Sequence, residues 1–173
     1  IASIPRIIAK SSPLRLLTVT HALAFSAFIS VWSMVTLFGI TEVGLTVTQT
    51  ATVGIAGLLG GAATVASARV QGRLGTRRAL PYSLLILIVG CLAIAAFSHS
   101  IPVVLVGLFL VAFGMSSSQV SSQANALASV DPSESGRANT VYMATTFFAS
   151  AGATAIADQV MNNYGYAAVG VFA

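Results

Sequence analysis

The sequence predicts an all-α membrane protein: a polytopic transmembrane helical bundle with five complete spans and the start of a sixth. Three observations carry that expectation. Of 173 residues, 56% are hydrophobic and only 7% charged, where a soluble domain carries about 25% charge. The mean hydropathy of +0.91 reflects apolar residues gathered into blocks, and a helix needs about 20 residues to cross a hydrocarbon core of ~30 Å. Lys and Arg are confined to alternate connections between those blocks. Lipid admits only helices or closed barrels, because no water satisfies a stray backbone group there. Strict alternation of apolar and polar residues, the mark of a barrel strand, is absent.

Residues 1–13 hold Arg6, Lys10 and two prolines and read as a linker segment. The remainder, 14–173, reads as the bundle. The first span is expected over Leu14–Phe38, followed by a short loop with Glu42. The second, Thr46–Val70, is rich in Gly, Ala and Thr. A connection with four arginines, Arg69–Arg78, leads to the third span, Ala79–Phe97, where Leu84 to Val89 form an unbroken apolar run. His99 and Pro102 mark a tight turn. The fourth span, 101–128, turns polar after Gly114. Pro132 and Gly136 break the Asp131–Arg137 connection. The fifth span covers Ala138–Val160, Asn162–Gly165 turns the chain, and 166–173 starts a truncated sixth. The chain begins without an initiator Met and ends inside an apolar stretch, so it reads as a piece of something longer.

Orientation follows from the excess of Lys and Arg in cytoplasmic loops. Arg6, Lys10, Arg15, Arg69, Arg73, Arg77, Arg78 and Arg137 all fall on one side of an alternating topology. Glu42, His99 and Asp158 fall on the other. The N-terminal segment is therefore expected in the cytoplasm. The basic residues flank spans instead of forming an aromatic-interleaved patch, which argues against nucleic acid. Cys91 has no disulfide partner. No Cys/His cluster has metal spacing, no phosphate-binding loop is present and no nucleophile–base pair stands out. Nothing points to a metal, a cofactor or an enzyme.

The densest signal is Ala68-Arg69-Val70-Gln71-Gly72-Arg73-Leu74-Gly75-Thr76-Arg77-Arg78. Gly75 permits a sharp turn, and the arginines suit helix-end carbonyls and anionic headgroups. Ordinary positive-inside topology accounts for such a loop equally well. This stretch resembles the Gly-Arg-Leu-Ala-Asp-Arg-x-Gly-Arg-Arg motif of the major facilitator superfamily, with Arg69, Arg73, Gly75, Arg77 and Arg78 matching. Gly72 stands where the family has an Asp that helps lock the cytoplasmic gate. A degenerate copy of this kind is typical of the second half of such transporters. Gln119-Val120-Ser121-Ser122-Gln123-Ala124, Asp131-Pro132 and Gly136-Arg137-Ala138-Asn139-Thr140-Val141-Tyr142-Met143 resemble the tenth and eleventh spans of bacterial drug and sugar efflux members. Asn163-Tyr164-Gly165-Tyr166 is similar to the turn before their twelfth.

The resemblance implies a major-facilitator-like C-terminal half-bundle in the bacterial inner membrane. It would work with a missing N-terminal half by alternating access, exporting a small solute or drug against a proton gradient. It also implies that Arg69, Arg73, Gly75, Arg77 and Arg78 form the cytoplasmic gate loop. Two other classes share the composition, a non-transporting membrane subunit or scaffold and a small oligomeric channel.

Polar groups inside spans are costly and tend to face a bundle interior or a cavity. Gln119 and Gln123 lie four apart on one helix face with Ser116, and Asn125 follows. These four are expected to line a substrate path, although hydrogen bonding to neighbouring helices is the competing role. His21, in the first span, titrates near neutral pH when exposed and joins the candidate cavity, with a neutral structural role as the alternative. Trp32 and Tyr82 read as interface anchors or path residues, and Asp158 as interfacial. Gly57 and Gly61, and Ala149 and Ala153 with Gly152 beside them, have the small-residue spacing that lets helices approach closely. The resemblance places those two helices against the other half-bundle.

Overall fold

The computed structural model describes residues 11–173; within its second helix, several side chains between positions 52 and 70 lie outside the described residues, Gly57 and Gly61 among them. Five helices account for nearly all of the described chain: α1 (Ser12–Thr41), α2 (Val47–Leu74), α3 (Thr76–Phe97), α4 (Ile101–Leu127) and α5 (Ser135–Phe172), with a short 3-10 turn at Pro132–Glu134.

Local chemistry sets the ends. The Ser11 hydroxyl accepts from Leu14 N–H and caps α1, with Pro13 in its first turn, where a missing N–H costs nothing. At the other end of α1, Gly44 (φ 73°) turns the chain. Thr46 and Gln49 then form a reciprocal capping box that starts α2, satisfying two amides at once. Gly75 (φ 81°, ψ 142°) ends α2 and starts α3 alone. The Arg69–Arg78 connection expected from the sequence is thus helical apart from one residue. Hydropathy reports where lipid ends, whereas helical hydrogen bonding continues until a residue can leave the helix. Residues 161–164 are helical for the same reason, and the expected turn before the sixth span narrows to Gly165 (φ 78°, ψ −179°), inside α5.

After Gly165 the chain re-enters the bundle between α1 and α3. The Tyr166 hydroxyl donates to Val31 O (3.0 Å), and its ring stacks on Phe38 at 4.5 Å. Gly170 sits so close to Cys91 and Ala95 that a β-carbon there would lie 2.8 Å from Ala95 N. The main core joins α1 (Val31, Val35, Phe38), α3 (Leu87, Ile94), α4 (Leu108, Val111) and α5 (Ala157, Met161), and a smaller cluster joins Leu14, Ala126, Ala138 and Tyr142.

The two ends of the bundle differ in charge. Ser11 bonds Ser129 (3.0 Å) and Thr76 bonds Asn125 (3.0 Å), which gathers the starts of α1 and α3 and the end of α4 at one end. Arg15, Arg69, Arg73, Arg77, Arg78 and Arg137 all belong to helix termini at this end. Arg6 and Lys10 lie outside the described residues. Glu42 is at the opposite end, its Oε1 accepting from Tyr166 N–H (2.8 Å). Large apolar side chains such as Leu23, Leu58, Leu85 and Phe148 face outward, more than half exposed. A surface of that kind suits lipid or another protein layer. Among the described residues four stretches are long and apolar enough to cross a membrane, namely α1, α3, α4 and Pro132–Phe172; α3 is the most apolar, with a mean hydropathy of 2.4. The fold is that of a multi-pass, membrane-spanning helical bundle.

Candidate functional site

The basic joint is built around one glycine. Arg69, Arg73, Arg77 and Arg78 are exposed around Gly75, and Arg73 lies in the last turn of α2, where a cation meets the negative end of the helix dipole. Beneath them a buried amide ties α2 to α4. Gln71 donates to Ser117 O (3.1 Å) and Ser67 Oγ (3.3 Å), and its carbonyl accepts from the Ser121 hydroxyl (2.9 Å). Ser117 completes the group by donating to Ser67 (2.9 Å). These four hydrogen bonds run between amide, hydroxyl and backbone groups. The clamp lies beside Gly72, the position where the resemblance expects an Asp.

The polar half of α4 divides by face. Ser117 and Ser121 face α2 through that clamp. Ser122 is buried and shares a 2.7 Å hydrogen bond with the Tyr142 hydroxyl of α5. Tyr142 stacks flat on His21 of α1, 5.0 Å between centroids and 5° between planes. His21 is 1% exposed, so it lies within the bundle and away from any open surface. Among the described residues neither ring nitrogen finds a hydrogen-bond partner, nor does the nearby Thr18 hydroxyl. Ser116, Gln119 and Gln123 occupy the third face and are half-buried. Gln123 reaches Asn139 of α5 (2.8 Å). Asn125 is drawn away from this face, donating to Ser121 O (2.8 Å) and accepting from Thr76 (3.0 Å). The structure therefore brings Ser116, Gln119 and Gln123 together, and separates them from His21 and Asn125.

The small residues divide as well. Ala149 and Gly152 are exposed, with nothing within 4 Å of a β-carbon placed at Gly152; Ala153 is half-buried and Ala157 fully buried. Gly57 and Gly61 lie outside the described residues. Among the described residues, close helix approach rests on other glycines. A β-carbon at Gly114 would lie 2.6 Å from Leu87 N, one at Gly107 the same distance from the Ile94 side chain, and one at Gly60 the same distance from Ala112 Cβ. Backbone proximity of this kind is how helices gain dispersion contacts in lipid.

Sequence reasoning did not single out Tyr142 or the role of Gln71. A signal was present on α5, where Ala138, Tyr142, Thr146 and Ser150 recur at four-residue spacing and are all buried. The chain's four carboxylates are Glu42, Asp131, Glu134 and Asp158. The first three are at helix termini, and Asp158 is exposed on α5. Hydrogen bonds from the Ser133 hydroxyl and amide hold Asp131 below the usual carboxylate range. No group of three metal-ligating side chains occurs among the described residues.

The bundle thus carries a hydrogen-bonded clamp, a basic joint and one half-buried polar helix face. Searches of curated proteins and of solved structures return no significant match. The family model described as Major Facilitator Superfamily matches residues 2–155, most of the chain. The chain belongs to the major facilitator superfamily, a family of membrane transporters.

Proposed function

We propose that the chain is the C-terminal half of a secondary active transporter of the bacterial inner membrane, exporting a small solute or drug in exchange for protons by alternating access. The observation that carries this reading is the half-buried face of Ser116, Gln119 and Gln123 on the polar half of α4. Polar side chains at that depth are retained where they meet a solute or water. His21 and Asn125, each behind that face, would join the path when the helices shift. The exposed side of α5 supports a second half-bundle. Its groove of about 640 Å³ runs past Thr140, Thr145, Phe148 and Ala149, and Ala149 and Gly152 there offer a close seat. The joint at Gly75 and its arginines would form the cytoplasmic gate, with the N-terminal segment on the same side. No carboxylate lies in mid-membrane here, so the titrating group belongs to the other half.

The test uses everted vesicles from cells expressing the complete open reading frame, energised and loaded with a pH-sensitive dye. A panel of drugs and sugars is added in turn. At least one solute should dissipate the gradient saturably, and Gln119→Leu or Gln123→Leu should lower that rate at least about tenfold, the loss of one well-placed hydrogen bond or more. A single-channel ohmic current would identify a channel. Fixed-stoichiometry co-purification with unrelated subunits, with no solute effect, would identify a scaffold.

A further inference from the structure

At the basic end, the starts of α1 and α3 and the end of α4 enclose a pocket of about 390 Å³ with two kinds of wall. Its polar lining includes Arg77, Asn125 and Ser12. Its apolar lining includes Leu16, Leu17 and Leu80. The pocket of about 240 Å³ near Thr20 and the groove along α5 have no charged residue in their walls.

We propose that this pocket binds one anionic phospholipid, its phosphate on Arg77, Asn125 and Ser12 and the first methylenes of its chains along the three leucines. A guanidinium matches a phosphate with two parallel hydrogen bonds. No carboxylate lies within ion-pair distance of Arg77 among the described residues. Asn125 is held in place by Thr76 and by Ser121 O, and the same amide nitrogen keeps a second N–H. The frame is rigid, because Ser11 and Ser129 tie α1 to α4 across its edge.

The leucine wall decides the kind of anion. Leu16 is 67% exposed and lies on the second turn of α1, at the depth where headgroups give way to acyl chains. A soluble phosphate gains nothing from that wall, while an acyl chain gains its buried area. A zwitterionic lipid would bring an ammonium to a pocket with no carboxylate in its wall. The other arginines of this end add an attractive field for negative lipid. The proposal rests on the membrane reading and needs no transport, so either can fail alone.

The experiment takes the complete protein, delipidated in neutral detergent, and measures lipid adducts by native mass spectrometry. Phosphatidylglycerol and phosphatidylcholine with identical chains are offered at equal concentration. Phosphatidylglycerol should be retained as a single adduct about fivefold to tenfold better, the size expected for one interfacial arginine against an anionic headgroup. Arg77→Gln should remove most of that preference, Leu16→Ser should weaken both lipids, and Arg78→Gln should lower the preference far less than Arg77→Gln does. Excess inorganic phosphate should not displace the lipid.

Equal retention of the two lipids by the unaltered protein overturns the proposal without any variant. Equal losses for Arg77→Gln and Arg78→Gln mean a diffuse arginine field and no site. Displacement by inorganic phosphate means an anion site that ignores the chains. Selective binding only after removal of residues 1–10 assigns the pocket to that segment.

Discussion

Glycine at three or four positions decides how near the helices come. Gly114 places α4 against the backbone of α3, where a β-carbon would meet Leu87 N at 2.6 Å and Ser83 O at 2.7 Å. Backbone cannot rotate aside as a side chain can. Gly114→Val should therefore cost about 1–3 kcal/mol by overpacking, read as a lower midpoint of thermal aggregation in detergent. Gly152→Ala, with open space around it, should leave the midpoint unchanged and serves as the control. Gln71 makes a second prediction. Gln71→Leu removes the buried bonds to Ser117 and Ser121, each worth ~0.6 kcal/mol between membrane helices. It should lower the midpoint slightly and speed proteolysis at the neighbouring arginines. Gln71→Glu keeps the shape but buries a carboxylate among hydroxyls, and should cost more. The sequence contains the residue types of both devices. Gly60, Gly90 and Gly114 matter by contact, and none of them stood out by spacing. Spacing of small residues on one helix cannot tell which face its neighbour will take.

Helix boundaries were legible where a local device ends the helix, and misplaced where only lipid thickness suggested an end. Pro102 and Ser100 put the start of α4 at the expected residue, but α2 runs four residues past its expected end at Val70. Gly75 and Gly165 each carry a whole turn. Gly165 has φ 78° and ψ −179°, a region close to glycine-only, and a β-carbon would also stand 3.1 Å from the Glu42 carboxylate. Gly165→Ala should cost on the order of 1–3 kcal/mol and loosen the segment after it. Cysteine placed at Val171, now 75% exposed, would show changed alkylation in that background. Unchanged labelling and midpoint would sink the view that Gly165 sets this turn. Glu42→Gln keeps an acceptor for Tyr166 N–H and should be milder than Glu42→Ala. The difference between them measures that hydrogen bond, and the step from the unaltered protein to Glu42→Gln measures the charge at the start of that segment.

Across the whole molecule, one charge asymmetry orders everything, with the described arginines at one end and Glu42 at the other. Single cysteines in a Cys91→Ala background test it. A cysteine at Gly72 and one at Glu42 should label from opposite faces of sealed vesicles, and labelling from the same face would refute the arrangement. The sequence by itself determined that this is a helical membrane bundle with its described arginines gathered at one end. Those properties depend on summed hydropathy and on the sign of charge, both local to the chain. Only the tertiary structure decided which polar residues stay open. Gln119 and Gln123 share a half-buried face, His21 disappears under Tyr142, and Asn125 turns to Thr76. One helix carries polar groups on three faces at once, and their roles are assigned by which neighbour covers each face. That depends on contacts between residues on different helices, such as Thr76 with Asn125 and His21 with Tyr142.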